Sequence, residues 1–295
     1  MGSSRSDATA AISGLWFMVG AAFFWSLMSL FVKIVGQRLP SQQIVLIRAV
    51  VTLIYSYFLV RWSGVATLWG TNKPLLWLRG LFGFAALSSF YLAVTKLPLA
   101  DATVLHYTNP VFTALLAVPL LGESLSQNEV AGALLSLTGV ALIAQPTFLF
   151  GGAGTALNLL YVGVGLFGAV SAATAYVIVR KLRATEHPLV IVFYFPFVST
   201  LGGAPTAAVT NLQWPTLWEW VFLIAGVAGC AQIAQVLLTN GLHRIRAGRA
   251  MSVSYLQIVF AALWGLLVFG EIPNLWSITG AALVIGGTIL TARSG

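Results

Sequence analysis

Hydrophobic side chains dominate the chain in long runs that are separated by short polar segments. Uncharged runs cover Ala8–Val32, Ala102–Gly122, Val130–Val179, Pro188–Trp218, Trp220–Leu242, Ala250–Gly270 and Ile272–Ala292. Each run reaches the length of about 20 residues that a helix needs to cross the hydrocarbon core of a membrane. The apolar positions are continuous and do not alternate, which argues against the strands of a membrane β-barrel. The pattern therefore predicts helices that span a lipid bilayer.

The number of helices follows from the breaks and from two interrupted runs. Val130–Val179 is long enough for two spans, and Pro146 with the glycine-rich segment 151–154 divides it. Two further runs each contain one arginine, Arg48 or Arg79. We therefore predict an all-α integral membrane protein with ten transmembrane helices, at 12–36, 41–61, 74–96, 99–121, 128–146, 157–181, 189–210, 216–242, 247–269 and 273–292.

Part of this pattern occurs twice. Residues 99–142 recur at 247–290 with a constant offset of 148 and no gap, so that Tyr107 aligns with Tyr255 and Glu123 with Glu271. Each half, 12–146 and 157–292, contains five predicted helices. Because five is odd, the second half enters the membrane from the opposite side, and the sequence predicts two inverted five-helix repeats.

Composition and charge agree with a membrane protein. The chain is 59% hydrophobic and 7% charged, whereas a soluble domain has roughly 25% charged residues. The net charge of +8 comes from basic residues beside the predicted helix ends. Basic residues at these positions favour a role in setting the orientation of the helices in the membrane, and they argue against a nucleic-acid-binding surface. We expect a bacterial-type inner (plasma) membrane protein with both termini in the cytoplasm.

The chain lacks the sequence signals of a cofactor or a catalytic centre. It has a single cysteine, Cys230, no cluster with metal-ligand spacing, no glycine-rich phosphate loop and no nucleophile elbow. We therefore predict no metal, no cofactor and no enzymatic activity. An intramembrane transferase is a remote alternative, for which His106 with Thr103 and Tyr107 is a poor substitute for a catalytic cluster.

Polar side chains within the spans are candidates for binding a solute. Thr103, His106, Tyr107 and Pro110 are spaced by three or four residues, which places them on neighbouring parts of one helix face. Pro110 removes a backbone donor, so we expect a carbonyl that is free to meet a solute amine or water.

The positions of the ionisable residues limit which transport mechanisms the sequence favours. All seven acidic residues fall at predicted loops or helix ends, whereas ion-coupled carriers commonly keep a carboxylate within a span. This favours facilitated exchange or export without a buried carboxylate. Arg48 and Arg79 lie inside spans and can hold a carboxylate, but we expect them to extend to the interface or to pair, as Arg79 with Glu123.

Several motifs carry a family resemblance. These are Leu99-Ala100-Asp101-Ala102-Thr103, Asn109-Pro110-Val111-Phe112-Thr113-Ala114-Leu115 and Gly122-Glu123. They resemble the EamA repeat of the drug/metabolite transporter superfamily, and the similarity occurs twice and covers nearly the whole chain. The resemblance implies a ten-helix transporter of small organic metabolites, a group that often exports amino acids.

Together these observations predict a small-metabolite transporter that works by alternating access and exports amino acids or related small amines. Uptake of a nucleoside-like or S-adenosyl metabolite and efflux of a cationic drug remain alternatives. The expected partners are a small-molecule solute and the lipid bilayer, and the protein is expected to be a monomer or a weak dimer. The predicted substrate-binding residues are Trp25, Ser26, Arg79, Tyr91, Thr103, His106, Tyr107, Asn109, Thr174, Tyr176, Gln232, Gln235, Ser254, Tyr255 and Gln257.

Overall fold

Long apolar helices build the described part of the chain. The computed structural model describes residues 2–65, 67–97, 99–150, 158–208 and 212–293. Within these ranges ten helices are long and apolar enough to cross a membrane, and there is no β-strand. This confirms the all-helical membrane fold. The predicted break at 151–154, the predicted first residue of the sixth span and the predicted last residues of the seventh lie outside the described residues.

The ten spans are numbered in chain order. The spans α4 and α9 consist of two helical pieces each, and α8 consists of three consecutive pieces. The helices are α1 Gly2–Val35, α2 Ser41–Trp62, α3 Lys73–Lys96, α4a Leu99–His106, α4b Asn109–Leu121, α5 Gln127–Ala144, α6 Leu159–Leu182, α7 Pro188–Ala208, α8 Leu217–Val221 with Phe222–Gly229 and Cys230–Arg244, α9a Ala247–Val253, α9b Leu256–Phe269 and α10 Leu275–Ala292. The middle piece of α8 is a π-helix, and a short helix, Thr147–Phe150, follows α5.

Local sequence signals explain several helix ends. Gly122 and Gly270 end α4b and α9b with φ values of 67° and 69°, a left-handed conformation that side chains with a Cβ rarely adopt. Ser126 starts α5 with a capping box, in which its hydroxyl accepts from the Glu129 N–H and the Glu129 carboxylate accepts from the Ser126 N–H. The equivalent glycines show that the two repeats turn at the same point.

Contacts between helix ends show the direction of each half. Lys33, near the end of α1, contacts Glu271 beyond α9b, whereas Arg180, near the end of α6, contacts Glu123 beyond α4b. We call these two sides of the bundle the Lys33 end and the Arg180 end. Equivalent acids of the two repeats thus lie on opposite sides, as an inverted repeat requires.

The first and the last span in the chain, α1 and α10, each have one end at the Arg180 end of the bundle. Arg244 at the end of α8 donates a hydrogen bond to Ser13 in the first part of α1, at 2.6 Å. Arg249 of α9a donates to the carbonyl of Ala292, the last residue of α10. The described start of the first span and the end of the last span therefore lie on the same side of the bundle.

Small residues let α5 and α10 pack backbone against backbone. A Cβ on Gly139 would lie 2.5 Å from the carbonyl oxygen of Gly280, and a Cβ on Gly280 would lie 2.6 Å from the carbonyl oxygen of Gly139. Gly132 and Gly287 face each other in the same way, at 2.5 Å. Since these glycines are equivalent under the 148-residue offset, one pattern makes both sides of the contact.

The other helices pack in symmetrically related pairs around the centre of the bundle. α3 packs on α6 as α1 packs on α8, and α4 contacts α6 as α9 contacts α1. α2 and α7 pack against each other, as α5 and α10 do. The central position therefore belongs to α1, α3, α4, α6, α8 and α9, and Met18, Leu76, Leu242 and Met251 are among the fully buried core residues of these helices.

The glycine contact can be tested by enlarging one glycine. Gly139→Leu would force the α5 and α10 backbones apart, at a cost of about 2 kcal/mol or more, as overpacking usually does. We expect a clearly lower melting temperature for the purified variant in detergent. Gly163→Leu on α6 is the matched control, because nothing lies within 4 Å of a Cβ built there. Equal melting temperatures for the two variants would contradict this packing.

Candidate functional site

Two spans are interrupted at equivalent places in their middle. Residues 107–108 separate α4a from α4b, and residues 254–255 separate α9a from α9b. The predicted continuous helices at 99–121 and 247–269 are therefore wrong at these points. In α4 the break follows from Pro110, which has no N–H to continue the helix. In α9, Ile258 replaces Pro110, and its N–H bonds only three residues back, to the Tyr255 carbonyl at 3.1 Å.

The carbonyl left by Pro110 already has a partner. The oxygen of His106 accepts a hydrogen bond from the Asn109 side-chain amide at 2.7 Å. The expectation of a carbonyl free for a solute is thus wrong, because the residue before the proline folds its side chain back onto the backbone. Asn109 is 5% exposed, and its Oδ1 has no hydrogen-bond partner among the described residues.

Two equivalent tyrosines meet at the breaks. The rings of Tyr107 and Tyr255 are stacked, with centroids 6.1 Å apart and an interplanar angle of 25°. Each lies eight residues from the start of its span, or about 12 Å at the helical rise, close to the middle of a hydrocarbon core of about 30 Å. Tyr255 is fully buried and its hydroxyl has no described partner. We call these two residues the tyrosine pair.

Arg48 reaches the same region from α2. Its guanidinium lies 5.1 Å from the centroid of the Trp25 ring and close to the Tyr91 hydroxyl. Arg48 is 8% exposed. The expectation that Arg48 extends to the membrane interface is therefore wrong, because its side chain is buried against Trp25 of α1 and Tyr91 of α3. Trp25, Tyr91 and Tyr176 are partly buried.

Arg79 occupies a second buried position, on α3. It is 2% exposed, and its guanidinium lies 4.7 Å from the centroid of the Phe195 ring. Gly83 makes room for it, since a Cβ there would lie 2.5 Å from Nη1 of Arg79. The predicted pairing of Arg79 with Glu123 is wrong, because Glu123 binds Arg180 instead. The Arg79 Nε has no hydrogen-bond partner among the described residues.

His106 lies among aromatic rings at the end of α4a. Its ring centroid is 4.4 Å from that of Phe90 and 5.9 Å from that of Tyr107. Thr103 precedes it by one turn, and both side chains are partly buried. His106 therefore borders the tyrosine pair as part of an aromatic group.

Two of the predicted residues connect helices. Ser26 donates to the carbonyl of Phe23 at 2.6 Å and accepts from the Trp264 indole N–H at 3.0 Å, which links α1 to α9b. Gln232 on α8 forms two hydrogen bonds with Ser56 on α2, at 2.9 and 3.1 Å. The hydrogen-bonding capacity of these groups is largely used within the bundle.

The remaining predicted residues differ in their surroundings. Thr174 and Ser254 each donate to a carbonyl of their own helix, at 2.9 and 2.5 Å. Gln235 is 5% exposed, and its Nε2 has no described hydrogen-bond partner. Gln257 is partly buried at the start of α9b. These four residues thus include both satisfied and unsatisfied polar groups.

A buried ion pair closes the Arg180 end. The Arg180 Nε lies 2.7 Å from Glu123, and the two side chains are 7% and 12% exposed. The second carboxylate oxygen of Glu123 accepts the N–H of Ala247 at 2.8 Å, and Arg180 also donates to the carbonyl of Leu242 at 2.9 Å. This group of contacts joins α4b, α6, α8 and α9a.

The Lys33 end is held less tightly. Lys33 lies 2.5 Å from Glu271, but their side chains are 51% and 59% exposed. A second pair joins Arg38 to Glu219, and this hydrogen bond raises the pKa of Arg38 above its ordinary value. A cavity of about 180 Å³ lies beside the Lys33 pair and is lined by Ser26, Ser29, Leu30, Lys33, Ala261, Trp264, Gly265, Phe269 and Glu271.

Arg48, Phe90 and Phe195 lie in this central region but were not in the predicted set. A charge inside an apolar span was the available signal for Arg48. The phenylalanines carried no such signal, because aromatic residues make up 12% of the chain and recur in most spans.

Comparison with known proteins shows which family and which relatives this chain is similar to. The model of the EamA-like transporter family matches residues 12–145 and again residues 159–293. The chain is 33% identical to a pseudopaline exporter of Pseudomonas aeruginosa, with 96% of each chain covered. It is 27% identical to an S-adenosylmethionine uptake transporter of Rickettsia bellii, over 89% of this chain and 87% of the relative.

A solved structure shares the fold. It superposes with a TM-score of 0.82 at 22% identity, covering 96% of both chains. The solved structure shows the fold alone, and the family follows from the match of one family model to both halves of the chain. This multi-pass membrane protein belongs to the EamA-like transporter family.

Proposed function

We propose that the protein moves small polar organic metabolites across the membrane by alternating access, and that it exports amino acids or related small solutes. The observation that carries this proposal is the meeting of two inverted, interrupted helices at the tyrosine pair, near the expected middle of the membrane. Solute sites of transporters built from inverted repeats lie at such discontinuous helices between the repeats.

The unequal closure of the two ends supports an alternating mechanism. Equivalent acids, Glu123 and Glu271, form ion pairs on opposite sides, but the first pair is buried and the second is exposed. The cavity lies at the exposed side. Exchanging the conformations of the two repeats would open the Arg180 end and close the Lys33 end. The observed arrangement fits one of these two states.

The chemistry of the centre favours a polar organic solute. Trp25, Tyr91, Tyr107 and Tyr176 are partly exposed aromatic groups that can stack on a planar group or cover an apolar side chain. The Gln235 amide on α8 is a buried donor without a described hydrogen-bond partner. The relatives include one exporter and one uptake transporter. Our choice of export therefore rests on the sequence resemblance.

The membrane orientation is part of the proposal. Arg61, Arg180, Arg183, Arg244 and Arg246 lie at the Arg180 end, whereas Lys33, Arg38 and Lys96 lie at the Lys33 end. The positive-inside rule places the Arg180 end, with both termini, in the cytoplasm of an inner-membrane protein. The cavity then faces outward.

Removing the tyrosine pair should slow transport. We expect Tyr107→Ala and Tyr255→Ala to reduce counterflow of a transported amino acid in proteoliposomes roughly tenfold, since each loses a ring stack and its buried contact area. Tyr255→Phe keeps the ring and separates stacking from the hydroxyl. Tyr57→Ala is the matched control, because Tyr57 lies on α2 and is 42% exposed. Unchanged counterflow in both alanine variants, with normal insertion, would remove the pair from the pathway.

Weakening the buried ion pair should open the Arg180 end. Glu123→Gln leaves Arg180 uncompensated and should cost the closed state about 3–5 kcal/mol. Glu271→Gln breaks an exposed pair, which is worth about 0–1 kcal/mol. In a Cys230→Ala background, Met251→Cys reports opening at the Arg180 end, because Met251 is 2% exposed. We expect Glu123→Gln to raise the maleimide labelling rate at least tenfold.

The second variant is the internal control for this experiment. Glu271→Gln should leave Met251→Cys labelling within about threefold of the unsubstituted protein, in keeping with the small energy of an exposed pair. Equal effects of the two glutamine variants would show that the Arg180 pair does not hold this end closed.

A further inference from the structure

We propose that the central site accepts a net-anionic organic solute, whose acidic group is bound by Arg48 and Arg79. The proposal rests on the transport function above and names the chemical class of its solute. It starts from two buried guanidinium groups that are 8% and 2% exposed.

No described carboxylate neutralises these arginines. The six acidic side chains that the structure describes are engaged elsewhere, all near helix ends. Their partners are Thr147 for Asp101, Arg180 for Glu123, Arg246 for Glu129, Thr71 and Asn72 for Glu186, Arg38 for Glu219, and Lys33 for Glu271. Two positive charges therefore remain in the centre of the bundle without an acid among the described residues.

The neighbours of the arginines are neutral. Arg48 has the Trp25 ring and the Tyr91 hydroxyl, and Arg79 has the Phe195 ring. Ring faces attract a cation and a hydroxyl accepts a hydrogen bond, but neither supplies a negative charge. A charge buried in this way is normally paired, and an unpaired one inside a membrane span is a functional signal. The missing partner is an anion from outside the chain.

The two arginines approach the centre from opposite ends. Arg48 lies seven residues from the start of α2 at the Lys33 end, and Arg79 lies six residues from the start of α3 at the Arg180 end. At the helical rise these depths are about 10 Å and about 9 Å. Phe195 lies against the Arg79 guanidinium and also lines, together with Arg48, a small pocket between α2, α3 and α7. An anion entering from either side would thus meet one arginine first and the second in the centre.

Unsatisfied donors point to the same class of solute. The Arg79 Nε and the Gln235 Nε2 carry hydrogens and have no hydrogen-bond partner among the described residues, and the buried Tyr255 hydroxyl is also without one. A carboxylate or a phosphate presents several acceptor oxygens to such donors and fits a planar guanidinium fork. A cationic drug or an S-adenosyl cation would instead face two like charges.

The test compares matched solutes on purified protein. Thermal stabilisation in detergent is measured with glutamate, succinate, citrate, glycerol 3-phosphate, glutamine and putrescine, and counterflow of the same solutes is measured in proteoliposomes. Glutamine is the neutral match for glutamate. The variants are Arg48→Gln, Arg79→Gln and Arg48→Lys, with Arg61→Gln as control, because Arg61 is an exposed residue at the end of α2.

We expect at least one anion to stabilise the protein at a concentration at least tenfold lower than glutamine or putrescine. Each glutamine variant should lose this preference at least tenfold, whereas Arg61→Gln should keep it and Arg48→Lys should keep part of it. Removing an unpaired charge should leave the melting temperature without solute unchanged or raise it. A merely structural arginine would lower that temperature and would not alter the choice between glutamate and glutamine.

Several results would overturn the anion site. Preference for putrescine or glutamine over every anion would do so, as would an anion preference that survives in Arg48→Gln and Arg79→Gln, or no stabilisation by any of the anions. Protein-dependent counterflow of glutamine or putrescine alone would support the transport proposal and contradict the anion site. Arginine-dependent anion binding without counterflow of any solute would support the site and contradict transport. Stabilisation by glycerol 3-phosphate but not by the carboxylates would identify phosphate as the acidic group.

Discussion

The absence of water from the membrane interior is the constraint on which this structure depends. A polar group within the spans must find its partner in the protein, and the helices satisfy nearly all of the backbone internally. The polar groups that need a side-chain partner, or that have none among the described residues, are therefore informative. At the break in α4, Asn109 binds the carbonyl that Pro110 leaves behind. Ser26 and Gln232 bind groups on neighbouring helices. Among the described residues neither Arg48 nor Arg79 has an acidic partner, and this distinguishes the two arginines from the groups above.

The inverted repeat determines where these exceptions meet. One glycine pattern packs α5 against α10, because Gly139 contacts Gly280 and Gly132 contacts Gly287, and these two contacts are related by the pseudo-two-fold axis. The interrupted helices lie on the same axis, so Tyr107 meets its own equivalent, Tyr255. A scaffold of this symmetry supplies two similar halves of a site, and differences such as Pro110 against Ile258 make the site asymmetric.

Electrostatics connects the centre with the ends. Acidic side chains at the ends hold helices together, so they leave the centre positive. The Arg180 pair is buried and supported by backbone hydrogen bonds, whereas the Lys33 pair is exposed to solvent and stands beside a cavity. Since a buried pair loses far more than an exposed one when it is broken, the two ends differ in their cost of opening.

The sequence by itself determined the ten spans, their alternating direction and the inverted repeat, because hydrophobic run length and residue order are local properties of the chain. It also located the acids at helix ends. It did not reveal that Glu123 binds Arg180 and not Arg79, that Arg48 is covered, or that α4 and α9 are broken at the tyrosine pair. Arg180 and Glu123 are 57 residues apart, and the choice among such partners depends on how helices pack in three dimensions. The tertiary structure decided which charges are paired and which are buried without a described acidic partner.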